Sequence, residues 1–304
     1  MNWELTNDTI EKFEIKKLSN FLLSTKKLTY GKQTELFENK FSKWNNTKYS
    51  LMVNSGSSAN LVMAIALKKF LKKEKIRIGI STLTWSTSLT PFSLLGYEIF
   101  LYDSQNTNLG INKEDLMDSI RKKRIDAILI THILGFPSVD KEIIAAAKKF
   151  GVVILEDCCE ALGANVDGKK VGNFGLMSSY SFFYSHHMST IEGGMFCTNN
   201  KSLLNLAKLI RSHGLSRELE KNNNENWKKR FYFIEEGLNL RPTELNAFMG
   251  LQQLKKIDKL IVERNKNLNV FLSNLSKNYI KEFNTNGVSS FALPIISKNK
   301  KIFQ

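Results

Sequence analysis

The feature that most constrains this chain is an alternation. Short runs rich in β-branched and aromatic residues recur along it: SLMVN (50–54), IRIGIS (76–81), EIFLYD (98–103), DAILIT (126–131), VVILED (152–157), SSYSFF (178–183) and MFCT (195–198). Between most of them lie apolar residues at helical spacing, over 58–73, 113–123, 140–150 and 201–212. Strand–helix alternation of this kind predicts an α/β fold, with a mostly parallel central sheet and helices on both faces. Right-handed crossovers then gather the loops that leave the strands along one edge, where ligands bind in such folds.

The later part of the chain reads differently. Residues 216–229, SRELEKNNNENWKK, are polar and Asn-rich and predict an excursion. Pro242 and Thr243 can open a helix, and Leu245, Phe248, Met249, Leu251, Leu254, Ile257, Leu260 and Ile261 predict a single long one. SSFALPIISKN (289–299) reads as one strand. One helix and one strand make a poor domain. The expectation is a large cofactor-binding domain over 1–255 and the start of a small C-terminal domain, apparently incomplete, over 256–304.

Composition excludes several classes. With 42% hydrophobic and 24% charged residues the chain has the balance of a soluble globular protein, and it holds no apolar run of membrane-spanning length. The opening MNWELTNDTIEKFEIKK has the features of neither a signal nor a transit peptide. Cys158, Cys159 and Cys197 form no CxxC pair, which predicts a reduced, cytoplasmic setting without structural zinc. The net charge of +15 comes from dispersed lysine doublets without an aromatic-interleaved stripe, so neither nucleic acid nor membrane is an expected partner. A positive field does suit a substrate carrying a diphosphate.

Three stretches can carry chemistry. In VNSGSSANLVMAIAL a strand ends, Gly56 allows a tight turn, and Ser57 and Ser58 open a helix, whose free N–H groups and dipole suit a phosphate or simply a cap. In VVILEDCCEALGA a strand ends on acidic residues. Asp157 there could bind a metal, cap a helix, or hold a protonated ring nitrogen. In SFFYSHHMSTIEGG, Ser181 ends a strand and two adjacent histidines, His186 and His187, stand in a Ser/Thr-rich turn. Neighbouring histidines point in divergent directions on most backbones, which argues against a metal site.

Together these stretches resemble the DegT/DnrJ/EryC1/StrS sugar aminotransferases over about residues 28–296. Further matching segments are TYGKQTELFENKFSKW, LTWSTSLTPFSLLGYEIFLYD, KKVGNFGLMSSYSFF and GLNLRPTELNAFMGLQQLKKID. The resemblance implies an aspartate-aminotransferase-like fold (PLP fold type I) and pyridoxal 5′-phosphate or pyridoxamine 5′-phosphate as cofactor. Most of that family has a cofactor-bonding lysine where His186 stands. The same departure marks the branch of 3-dehydratases acting on nucleotide-linked 4-keto-6-deoxyhexoses, the colitose-pathway type in particular. Imidazole cannot tether the cofactor aldehyde, but a histidine of ordinary pKa near 6.5 can take a proton at neutral pH.

The resemblance implies these roles: His186 the base, Asp157 the partner of the ring nitrogen, and Glu160 near the ring hydroxyl. Trp85 stacks on the ring. Gly56, Ser57, Ser58 and Ser181 hold the phosphate. Asn239 reaches the phosphate of a neighbouring subunit, which implies a homodimer with shared sites. His187 is a supporting residue, and Arg241 contacts substrate or fixes its loop. A related dehydratase type carries an iron–sulfur cluster, but this chain has only three cysteines, so no cluster is expected. That leaves recharging of the cofactor by an amino donor such as glutamate. GDP- and CDP-sugars both fit. The rival readings are an ordinary aminotransferase with another amine, Lys169 and Lys170 being nearest in sequence, and a truncated, non-catalytic paralogue.

Overall fold

The computed structural model describes residues 9–219 and 231–298. In chain order the strands are β1 (Tyr49–Val53), β2 (Arg77–Ser81), β3 (Glu98–Tyr102), β4 (Ala127–Thr131), β5 (Val153–Asp157), β6 (Asn165–Val166), β7 (Lys169–Lys170), β8 (Met177–Ser181) and β9 (Gly194–Thr198). The helices are α1 (Lys12–Ser24), α2 (Lys32–Asn45), α3 (Gly56–Leu71), α4 (Ser86–Leu94), α5 (Lys113–Arg121), α6 (Lys141–Phe150), α7 (Lys201–Arg211), α8 (Glu244–Gln253) and α9 (Ile257–Asn274). Seven strands form one sheet in the order β1-β9-β8-β5-β4-β2-β3. β9 runs antiparallel to both its neighbours, and the pairs from β8 to β3 are parallel.

Side-chain alternation along the strands assigns the two faces. Ala127 and Leu129 of β4 pack with Val62, Met63 and Leu67 of α3 and with Leu203 and Ile210 of α7. Ile128 and Ile130, one residue out of phase, pack with Leu116 and Ile120 of α5 and Ile143 of α6. Beyond β5 the second face is covered by Phe37 and Phe41 of α2 and Ala247 and Leu251 of α8. Several helices start where a side chain can take their orphan amides: Asn112 before α5, Asp140 before α6 and Asn200 before α7. Each such cap contributes about 1 kcal/mol.

The single long helix expected after Thr243 is two helices. The chain turns at 254–256, which lets Gln253 and Lys256 both reach the buried Glu14 carboxylate of α1, at 2.9 and 2.8 Å. A buried carboxylate needs such partners, and this requirement outweighs the apolar periodicity that runs across the break. The strand expected over 289–299 is also absent from the described residues 289–298, apart from an isolated bridge between Tyr279 and Ser297. Its amides are satisfied elsewhere. Ser289 N–H donates to the Gly135 carbonyl, Phe291 N–H to that of Leu134, and Ser290 N–H to Asn265 Oδ1. Leu134 and Gly135 have positive φ values, 52° and 89°, and a Cβ at Gly135 would overlap the Ser289 backbone. Of the Asn-rich excursion, Ser216–Glu218 form a 3₁₀ turn, and 220–229 lie outside the described residues. Among the described residues, no helix is long and apolar enough to cross a membrane.

Candidate active site

The C-terminal ends of the parallel strands meet at a cavity of ≈ 350 Å³. Strand pairing places Thr131 of β4 beside Asp157 of β5, and Asp157 beside Ser179 of β8. Gly194 of β9 pairs with both Val53 and Ser181, which brings the start of α3 to the same edge. Gly56, Ser57, Trp85, Asp157, Glu160, Ser181 and His186, all singled out in the sequence, line this one cavity.

At one end is the N-terminus of α3. Ser55 Oγ accepts the Ser58 N–H at 3.0 Å, so the amides of Gly56 and Ser57 are left without an intrahelical acceptor. Ser58 therefore serves the cap and does not line the cavity. Gly56 lies so close to β8 that a Cβ would stand 2.6 Å from Ser181 Cβ. Free amides, the helix dipole and two hydroxyls within a side-chain-free cradle fit a phosphate.

The floor is Asp157, 3% exposed. Its Oδ1 accepts the Cys159 N–H at 3.0 Å, and its Oδ2 accepts from Asn60 Nδ2 at 2.9 Å and Ser88 Oγ at 2.6 Å. Glu160 accepts the Leu134 N–H at 2.8 Å, and burial raises its pKa. Glu156, the other acid of the pair, faces away from the cavity. Its oxygens accept the amides of Gly172, Phe174 and Gly175, and it bonds His132 at 3.2 Å. His132, Glu156 and Cys158 form a close buried trio, which these bonds already occupy.

The wall is the histidine pair. The His186 ring stacks on Phe291, with centroids 4.9 Å apart and planes at 29°, and its Nδ1 is buried without a hydrogen-bond partner. Burial pushes its pKa down to about 4. The Cys159 backbone and Asp157 pull upward, and Arg264 adds to the depression. His186 is thus less basic than an ordinary histidine, because the pocket strips its water. His187 turns the other way: fully buried, it donates Nε2–H to the Ser289 carbonyl at 3.0 Å, and burial lowers its pKa to about 3.

Among the described residues, no lysine lines the cavity. Lys170 lies over the Trp44 ring and donates to the Trp44 carbonyl, and Lys169 lies over Phe174. Trp85 is the N-cap of α4, 67% exposed at the cavity rim. A large aromatic with a free face is suited to stacking on a flat ring. Asn239 is not in this cavity. It is exposed, and its Oδ1 accepts from Arg241 Nε at 2.9 Å.

Sequence reasoning missed Asn60, Ser88, Cys159, Glu192 and Phe291. Asn60 did carry a signal, being a polar residue on the buried stripe of the apolar helix α3. Phe291 carried none, since nothing local ties it to a histidine 105 positions earlier.

The site accommodates a phosphorylated aromatic cofactor: a phosphate cradle, a carboxylate floor for a protonated ring nitrogen, an aromatic face, and an imidazole on the wall.

Comparison with known proteins agrees with this geometry. The DegT/DnrJ/EryC1/StrS aminotransferase family matches residues 8–302. The chain is 34% identical to GDP-4-keto-6-deoxy-D-mannose 3-dehydratase of Escherichia coli O55:H7, over 90% of this chain and 72% of that protein. Among solved structures, a histidine-to-asparagine mutant of GDP-4-keto-6-deoxymannose-3-dehydratase with bound GDP-perosamine superposes with a TM-score of 0.90. It is 32% identical over 98% of this chain and 80% of that one. The same enzyme with a trapped PLP–glutamate geminal diamine gives a TM-score of 0.93, at 33% identity over 98% and 80%. These relatives also carry the PLP fold type I that the sequence predicted.

Proposed function

The chain belongs to the DegT/DnrJ/EryC1/StrS aminotransferase family, and from that premise we propose that it is a PLP/PMP-dependent 3-dehydratase. It removes the C3 hydroxyl of a GDP-linked 4-keto-6-deoxyhexose, as a step toward a 3,6-dideoxysugar of lipopolysaccharide. The single observation that carries this reading is His186: among the described residues an imidazole, and no lysine, lines the cavity that Asp157 floors.

When bound, the cofactor supplies an amine able to condense with a ketone and a ring able to take up the electron pair that a departing proton leaves behind. The protein's residues do the rest. Gly56, Ser57 and Ser181 hold the phosphate, Trp85 covers the ring, and Asp157 keeps the ring nitrogen protonated by offering it a fixed negative charge. Glu160 stands near the ring hydroxyl. His186, held neutral by burial, accepts a proton through a ring nitrogen and can return it to the leaving oxygen. Lacking an amine, His186 cannot tether the cofactor, so the cofactor is exchangeable and is recharged by an amino donor such as glutamate.

The reading includes a homodimer with shared sites. Asn239 is exposed outside its own cavity, beside the exposed apolar run Phe231, Tyr232, Phe233 and Ile234. That run supports burial against a second copy, to whose phosphate site Asn239 would be offered.

The test is product mass. Incubation with pyridoxamine phosphate, glutamate and GDP-4-keto-6-deoxymannose should give a product lacking one oxygen and retaining its ketone. Gain of nitrogen would instead mark amino transfer, and an unchanged sugar would mark a protein that binds without turnover.

A further inference from the structure

The carboxylate of Asp157 has almost no contact with solvent, and a buried polar group needs hydrogen-bond partners. Three donors supply them. A carboxylate offers about four lone-pair directions. Ser88 and Asn60 occupy both of those on Oδ2, and the Cys159 amide occupies one on Oδ1. The Cys159 thiol also lies against the carboxylate, and Asp157 lines the cavity floor.

Asn60 is itself fixed at all its polar atoms. Its Oδ1 accepts the Ser179 hydroxyl at 2.6 Å while its Nδ2 faces two oxygens that can only accept, so the amide cannot flip. One Nδ2–H goes to Asp157, and Nδ2 also donates to the Thr87 carbonyl at 3.3 Å. That carbonyl is free because Pro91, four residues on in α4, has no N–H to offer it. The same short helix α4 therefore presents Trp85 at the rim, Thr87 to the Ser57 hydroxyl at 2.9 Å, and Ser88 to Asp157. Asn60, Ser88 and Ser179 are all buried, with at most 2% exposure.

We propose that Asn60, Ser88 and Ser179 are positioning residues that hold the Asp157 carboxylate aimed at the cofactor ring nitrogen, and thereby set the protonation of that nitrogen. The proposal rests on the cofactor reading above. The bland alternative is a polar knot that only satisfies buried groups. The two differ in what a bound cofactor reports. A donor lost from the carboxylate frees it to turn away from the ring nitrogen, which should then give up its proton more easily.

The experiment uses the full chain loaded with pyridoxamine phosphate labelled with ¹⁵N in the ring, and follows the nitrogen's chemical shift against pH. In the unaltered protein the ring nitrogen stays protonated through neutrality. Ser88→Ala and Asn60→Ala should each lower its titration midpoint by about one pH unit, a tenfold change in the protonated ratio. Ser179→Ala should give a smaller shift, because it only unlocks the amide. Ser88→Thr, which keeps the hydroxyl, should restore the original midpoint. If Asn60→Ala fails to fold, the Ser88 pair still decides. Midpoints that stay put while melting temperatures fall would overturn the proposal and leave the dehydratase reading intact. An unaltered protein that takes up no labelled cofactor would overturn both.

Discussion

The floor and the wall of the cavity solve opposite problems. On the floor, Asp157 is buried, and the protein surrounds its carboxylate with donors. On the wall, the protein removes the water of His186 with an aromatic ring and leaves Nδ1 without a partner. Hydrogen bonds fix the carboxylate on one side, and desolvation favours the neutral imidazole on the other. The difference lies in the supporting elements. The floor is built from α3, α4, β5 and β8, which follow one another in the regular part of the chain. The wall depends on an irregular C-terminal segment that pairs with Leu134 and Gly135 instead of with a strand.

The largest effect should come from the wall. His186→Asn removes the base and leaves the floor intact, so deoxygenation should fall by about 10²–10⁴-fold while bound pyridoxamine phosphate titrates as before. Turnover close to that of the unaltered protein would place the base elsewhere. His186→Lys should instead allow a borohydride-stable phosphopyridoxyl adduct on residue 186, found by mass spectrometry, again without deoxygenation. Gly56→Ala comes next and acts at the phosphate end. The new Cβ would press on Ser181 Cβ at 2.6 Å and Cys159 Sγ at 3.0 Å. Overpacking of this kind costs about 1–3 kcal/mol, and cofactor affinity in a fluorescence titration should fall by about tenfold or more. Unaltered affinity would mean that the phosphate does not use this cradle. Phe291→Ala should rehydrate His186 and move its pKa from about 4 toward the ordinary value of 6.5. The acid limb of the kcat/KM profile should then rise in pH, while the floor's ring-nitrogen midpoint stays fixed. A shift in both would show that the two regions are coupled.

The same contrast sets what was legible in the sequence. Each strand run and each helix named from periodicity up to residue 212 exists in the structure, because there local pattern and tertiary burial demand the same conformation. Gly56, Asp157 and Ser181 were legible because strand ends in a parallel sheet converge on one edge, and His186 through the family resemblance. That Asn60 and Ser88 meet at Asp157 was not, since they reach it from two separate helices. Nor was the break at 254–256, where no glycine or proline marks the turn and the buried Glu14, some 240 residues away, dictates it. The C-terminal segment looked like a strand because its apolar residues fit one. Its amides are instead bound by loop carbonyls and Asn265, partners that no local pattern reveals.

The smallest effect is a pH dependence of stability that belongs to the wall alone. Burial depresses His186 to about 4 and His187 to about 3, whereas both rings titrate near 6.5 in the unfolded chain. Groups depressed on folding bind fewer protons in the native state. Their contribution is therefore complete above pH 6.5 and is lost as pH falls through that value toward the native pKa values. Between pH 7.5 and pH 6 the loss should be about 0.8 kcal/mol per ring. Urea unfolding at a series of pH values measures it, and His187→Asn should flatten the slope by one ring's share, with the remainder belonging to His186. An unchanged slope in that variant would mean that His187 is hydrated in the native state, and the wall would then hold only one desolvated imidazole against the saturated floor.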